Sequence, residues 1–172
     1  MVVKQSNDLD WALNTIANSK SRYLAVEEDT DVPWYFVAAL HYMESSLDFR
    51  RNLHNGEPWN AVTTRVPSGR GPFKSWHDSA VDALKCDGLF ELMPLSEWTF
   101  EDMLKWAESY NGEGYYRRGV MSPYVWSWTQ HYTGGLYLAD HVYFAHKKQM
   151  SGGVAAIMSE LCKREGITLK RL

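Results

Sequence analysis

Outside one interval, the apolar residues of this chain recur every three or four positions, the spacing of a helix that buries a single face. Leu9, Leu13, Ile16, Ala17 and Leu24 predict a first helix over residues 7–24, with a break over residues 27–31. Asp31 is then expected to cap a second helix, Pro33 sits where its missing N–H costs little, and an apolar run carries that helix to about Ser46. The exceptional interval is 47–74. Gly56, Pro58, Pro67, Gly69, Gly71 and Pro72 punctuate it around the β-favouring stretch AVTTRV, which predicts a long loop with a short hairpin. Helical spacing then resumes. Ser75 opens a helix through about Lys85, closed by Asp87 and Gly88. Thr99 opens another, with the stripe Phe100, Met103, Leu104, Ala107 and Tyr110, and Gly112 ends it. A short helix is expected from Ser122 and Pro123, one over 137–148, and a last one bracketed by Ser151 and Gly166. No internal repeat or low-complexity tract interrupts this order. The expected fold is mainly α, one domain over 1–172 with a small β-hairpin.

A chain of 172 residues buries enough apolar surface for one core. Its net charge of −3 lacks the basic footprint that nucleic-acid binding needs, and it leaves no polybasic patch for an anionic surface. Neither a nucleic-acid partner nor membrane insertion is expected, since no run of 18 apolar residues occurs. Cys86 and Cys162 form no CxxC pair, and Cys162 shares the apolar stripe of Val154, Ile157, Met158 and Leu161, the setting of a buried reduced thiol. Eight Trp, ten Tyr and six Phe exceed what core filling requires, and rings with polar tips suit binding clefts. They are densest between Trp106 and Phe144, where Tyr110 and Trp126 are the candidate binding rings.

On the second helix Trp34, Val37, His41 and Glu44 are three, four and three residues apart and share a face. A carboxyl on an apolar face is costly unless paired, hydrogen-bonded or protonated, and burial raises a carboxyl pKa toward the range of a useful acid. A half-exposed helix-end carboxylate without chemistry is the alternative. Metal chemistry is poorly served, because His41 and Glu44 make HxxE, His141 and His146 are five apart, and neither HExxH nor HxH occurs. No cofactor or metal is expected. Cys86 falls at a helix end before Asp-Gly, an unfavourable place for an activated thiol.

The segment HYMESSLDF, followed by a small β element and then by WAESYNGEG, resembles the goose-type lysozymes and soluble lytic transglycosylases. The ordered set VPWYFVAALHYMESSLDF, LHNGEPWNAVTTRVPSGRGPF, SWHDSAVDAL and YNGEGYYRRGVMSPYVWSWTQHYTGGLYLAD is similar to lysozyme-like catalytic domains of phage and prophage endolysins. The chain departs from that pattern in Glu57, where Asp is usual, in Trp59-Asn60 and in GVMSPY. The resemblance implies cleavage of peptidoglycan glycan strands by a monomer, with Glu44 as general acid, Ser45 as its neighbour, and Tyr110 and Asn111 as cleft partners. The N-terminal MVVKQSNDLDWALN holds no apolar run long enough for a signal h-region, so synthesis in the cytoplasm without a signal peptide is expected, with action on the wall only after holin-dependent release or lysis.

Glycoside cleavage needs a proton donor and a group that stabilises or captures an oxocarbenium-like centre. For the second role Glu57 is the candidate, in the turn-forming LHNGEP, with Thr63 or Thr64 as groups that orient a water. Asp48 is read as a structural cap. A lytic transglycosylase dispenses with the second carboxylate, because a substrate hydroxyl attacks instead. Chitinase- or chitosanase-like cleavage and a non-catalytic carbohydrate-binding module remain the alternatives.

Overall fold

The computed structural model describes residues 1–86, 98–112, 114–139 and 142–170. The chain is mainly helical, and among the described residues it carries one two-stranded antiparallel sheet. Its backbone gathers into two compact units, Thr15–Trp98 and a second made of Met1–Asn14 with Thr99–Leu172.

Helix α1 (Asn7–Asn18) begins at Ser6, whose hydroxyl accepts the Leu9 N–H at 3.2 Å, and it buries Leu9, Ala12, Leu13 and Ile16. The expected helix over 7–24 is in fact two. Ser19 takes φ −113 and ψ 10, and α2 (Lys20–Thr30) restarts the register with Tyr23, Val26 and Thr30 inward. Leu24, which the uninterrupted spacing places on the buried stripe, is therefore 41% exposed, and Ala17 is exposed too. The expected break over 27–31 moves to the end of this helix. Asp31 adopts a left-handed conformation at φ 57 and closes α2 by giving its N–H to the Glu27 carbonyl, so it does not cap the next helix. The Pro33 carbonyl starts α3 (Trp34–Ser45) by accepting from Phe36 and Val37.

Helix α3 buries Trp34 and every residue from Phe36 to Tyr42, which marks it as the centre of its unit. It packs with α2, and α2 in turn packs with α4 (Trp76–Cys86). Ser75 caps α4 by accepting the Asp78 N–H at 3.0 Å. Asp87 and Gly88, expected to end it, lie outside the described residues. Where these helices meet, Tyr23, His41, Phe49 and Trp76 form an aromatic cluster with the His41 ring 4.6 Å from Phe49 and 4.8 Å from Trp76. The interval 47–74 is a loop, as expected, but the hairpin is not formed there. A lone bridge joins Arg51 to Pro58, and the AVTTRV stretch is instead turned on itself around the Thr63 hydroxyl, which donates to the Pro67 carbonyl and accepts the Arg70 N–H. Asp82 of α4 receives both His54 (2.8 Å) and the Arg70 Nε (2.9 Å), pinning the loop to the helix.

In the second unit Thr99 caps α5 (Phe100–Asn111), accepting the Asp102 N–H, and Gly112 ends it at φ 90. Two short helices follow, α6 (Gly114–Arg118) and α7 (Pro123–Trp126), the latter starting at Ser122-Pro123 as read from sequence. The helix expected over 137–148 is replaced by the sheet, β1 (Leu136–Ala139) paired antiparallel with β2 (Val142–Phe144). Gly134 and Gly135 precede it at φ 146 and 102, and Tyr137 faces Tyr143 with Arg118 stacked over both rings, so aromatic cross-strand packing prevails over a weak helical period. Helix α8 (Val154–Glu165) buries the stripe that ends in Leu161 and Cys162, and packs with α5 and α7. Gly166 closes it in a left-handed conformation.

Candidate active site

Glu44 is half-buried in the last turn of α3, one turn beyond the fully buried His41. His41 is a core residue. Its Nδ1 meets the Tyr23 hydroxyl at 2.9 Å, and burial pushes its imidazole down to about 4, so it is neutral near pH 7. Ser45 is likewise committed locally, since its hydroxyl donates to the His41 carbonyl one turn back. The helix ends in two successive left-handed residues, Ser46 and Leu47 at φ 52 and 65, which turn the chain sharply after Glu44.

The loop then returns. Gly56, at φ 75, lies so close to α3 that a Cβ there would collide with the Glu44 carbonyl oxygen. Residues 52–57 are held in that pose by a chain of bonds: the Asn52 side chain accepts from Asn55 N–H, Asn55 from Glu57 N–H, the Glu57 carbonyl from Asn52 N–H, and the Gly56 carbonyl from Arg51. Glu57 is consequently carried beside the Glu44 backbone. Its carboxylate accepts the Thr64 hydroxyl at 2.7 Å and the N–H groups of Thr64 and Arg65 at 3.1 Å. These bonds, the Thr64 hydroxyl first, favour its charged form and lower its pKa. Thr64 therefore serves Glu57, and Thr63 serves the loop. Asp48 caps no helix, since Ser46 closes α3; its carboxylate accepts the Arg50 guanidinium and N–H within the loop, and these bonds hold its carboxyl at about 2.

A cavity of about 480 Å³ opens where the chain leaves α3, lined by residues 48–51 and 58–60. Trp59 forms part of its wall, with the indole N–H fixed on the Phe49 carbonyl at 3.0 Å. Sequence reasoning noted Trp59 only as a departure from a family pattern. Its signal was a tryptophan in a Gly- and Pro-punctuated loop, where no helical stripe claims it.

Glu44, Ser45, Glu57 and Thr64 all belong to the unit Thr15–Trp98, while Tyr110, Asn111 and Trp126 belong to the other. In that second unit Tyr110 is stacked on Trp106 at 4.8 Å, Asn111 is an exposed helix end, and Trp126 is half-buried with His131 edge-on at 5.1 Å. Trp126 also lines a second cavity, with a residue that sequence reasoning missed. Glu108 of α5 is partly buried there, and desolvation pushes its carboxyl up to about 7. Its signal was present in the sequence: Glu108 stands one helical turn after Leu104 and directly after Ala107, on the flank of the buried stripe. Among the described residues no group of three or more His, Cys, Asp or Glu is placed to hold a metal ion, and no helix is long and apolar enough to cross a membrane. The chain matches no protein-family model, no curated protein and no solved structure.

Proposed function

We propose that this chain cleaves the glycan strands of peptidoglycan as a lysozyme-like enzyme, with Glu44 as the proton donor to the leaving oxygen. The observation that carries the reading is the loop that returns to the end of the Glu44 helix one residue before Glu57. Gly56 packs on the Glu44 carbonyl, and the next residue, Glu57, is held as an anion by Thr64 and Arg65. A proton donor working with a fixed negative charge is one way to stabilise an oxocarbenium-like transition state. Glu44 supplies the proton, and the Glu57 carboxylate stabilises the positive centre or orients the attacking water. Trp59 offers a ring to the apolar face of a sugar. In this reading the protein acts on the wall after holin-dependent release or lysis.

Glu44→Gln is the decisive variant, because it keeps size and hydrogen bonding and removes the proton. Wild type is expected to lyse purified sacculi and the variant to bind them without lysis. Equal lysis by both would eliminate Glu44 as the acid. Product masses separate the routes, since reducing ends and anhydro ends differ by one water. Loss of turnover in Glu57→Gln with reducing-end products marks hydrolysis, whereas retained turnover with anhydro ends marks transglycosylation.

A further inference from the structure

The unit containing α5, α6 and α7 holds a cavity of about 320 Å³ with apolar and aromatic walls. Leu104, Val125 and Trp126 form its inner side, and Tyr116 and Met121 its exposed rim. Within these walls stands the Glu108 carboxyl, whose Oε1 is buried and finds no hydrogen-bond partner among the described residues. The Ser122 hydroxyl lies near enough to favour the charged form weakly, yet its geometry falls short of a hydrogen bond. A buried acceptor left in this state costs free energy, which the carboxyl recovers by turning toward a ligand that brings a donor.

The charge of the lining decides which donor. The one lysine of the lining, Lys105, is drawn to Asp102 at 3.7 Å, which leaves Glu108 to set the sign of the lining. An anionic ligand would be repelled. A cation would meet a poorly solvated carboxylate beside the aromatic rings of Trp126 and Tyr116, whose π-systems attract positive charge. The volume is near the lower end for small-molecule sites, which suits a single ring with a short arm.

We infer that this cavity binds a small organic cation, an ammonium group on an aromatic or apolar body, with Glu108 as its counter-ion. The site belongs to the unit that lacks Glu44, and it stands whether or not the chain cleaves glycans. Benzylammonium and its neutral isostere benzyl alcohol separate charge from shape. In calorimetric titrations of the whole chain at pH 8, benzylammonium is expected to bind saturably at one site. Benzyl alcohol should bind about tenfold more weakly or worse, the scale of one charge-assisted contact. Glu108→Gln should erase the preference, leaving the two ligands alike, and Val120→Trp, which fills the cavity from its edge, should abolish binding of both. Equal affinities in wild type, no saturable benzylammonium binding, or a preference that survives in Glu108→Gln would each overturn the assignment. The wild-type comparison needs no variant, so misfolding of Glu108→Gln would not shelter it.

Discussion

Gly56→Ala places a methyl group where the return loop touches the end of α3. Two costs combine. At φ 75 an alanine is held in the left-handed region, worth about 1–2 kcal/mol. The new Cβ also collides with the Glu44 carbonyl, a backbone atom in a capped helix end and not the tip of a flexible side chain, and relieving such overlap costs about 1–3 kcal/mol. A stiffer unfolded chain returns about 0.4–1 kcal/mol, so the net loss is about 2–4 kcal/mol. For a chain of this size that lowers the melting temperature by about 5–15 °C. Gly69→Ala is the matched control. Gly69 has nearly the same φ, 77, but nothing lies within 4 Å of its added Cβ, so it should lose only about 1 kcal/mol. Urea denaturation followed by tryptophan fluorescence measures both. If the two variants agree within about 0.5 kcal/mol, the scatter expected of unrelated surface changes, then Gly56 is not wedged against Glu44 and the return of the loop to α3 loses its structural basis. Because the overlap displaces the loop that carries Glu57 from the end of α3, the Gly56 variant should also lose more lytic activity than its folded fraction explains.

Glu108 should make the protein less stable as pH rises. Its folded-state pKa is raised, so the native state keeps a proton that the unfolded chain gives up, and the associated stability is lost between the ordinary glutamate range and about pH 7. Glu108→Gln should thus exceed wild type in urea resistance at pH 8 and match it near pH 4.5, and a constant gap would contradict the sign. Tyr23→Phe removes the partner of His41 Nδ1 in the core and should cost about 1–3 kcal/mol in the same assay, whereas an unchanged midpoint would show that the bond contributes nothing. Burial pushes the Cys162 thiol up to about 12, so a thiol reagent should reach only Cys86 in the native protein and both cysteines in denaturant. Modification of both without denaturant would mean that α8 opens readily.

Helix ends were the most legible features, because a cap is written in adjacent residues. Ser75, Thr99, Ser122-Pro123 and Gly166 all mark the ends predicted for them. The failures arise where two local conformations compete and hydrogen bonds or ring contacts formed in the folded chain choose between them. Asp31 offers the side chain of an N-cap, but its backbone turned left-handed and closed the preceding helix instead. The stretch 137–148 carries enough spaced apolar residues to suggest a helix, and the Tyr137–Tyr143 pair with Arg118 above it decided for strands. AVTTRV has β propensity without a partner strand, so its hydrogen bonds went to the turn around Thr63.

For the site, the sequence alone determined that Glu44 closes a helix of buried residues, since spacing and the apolar run settle both its position and its neighbours. Only the tertiary structure decided what surrounds it. That Gly56 rests on the Glu44 carbonyl, that Glu57 is held as an anion by Thr64 and Arg65, and that Glu108 stands in an apolar cavity all depend on chain return across many residues. Local periodicity reports which face of an element turns inward. The charge state of a carboxyl depends instead on the donors and the solvent that the folded chain brings to it or keeps away.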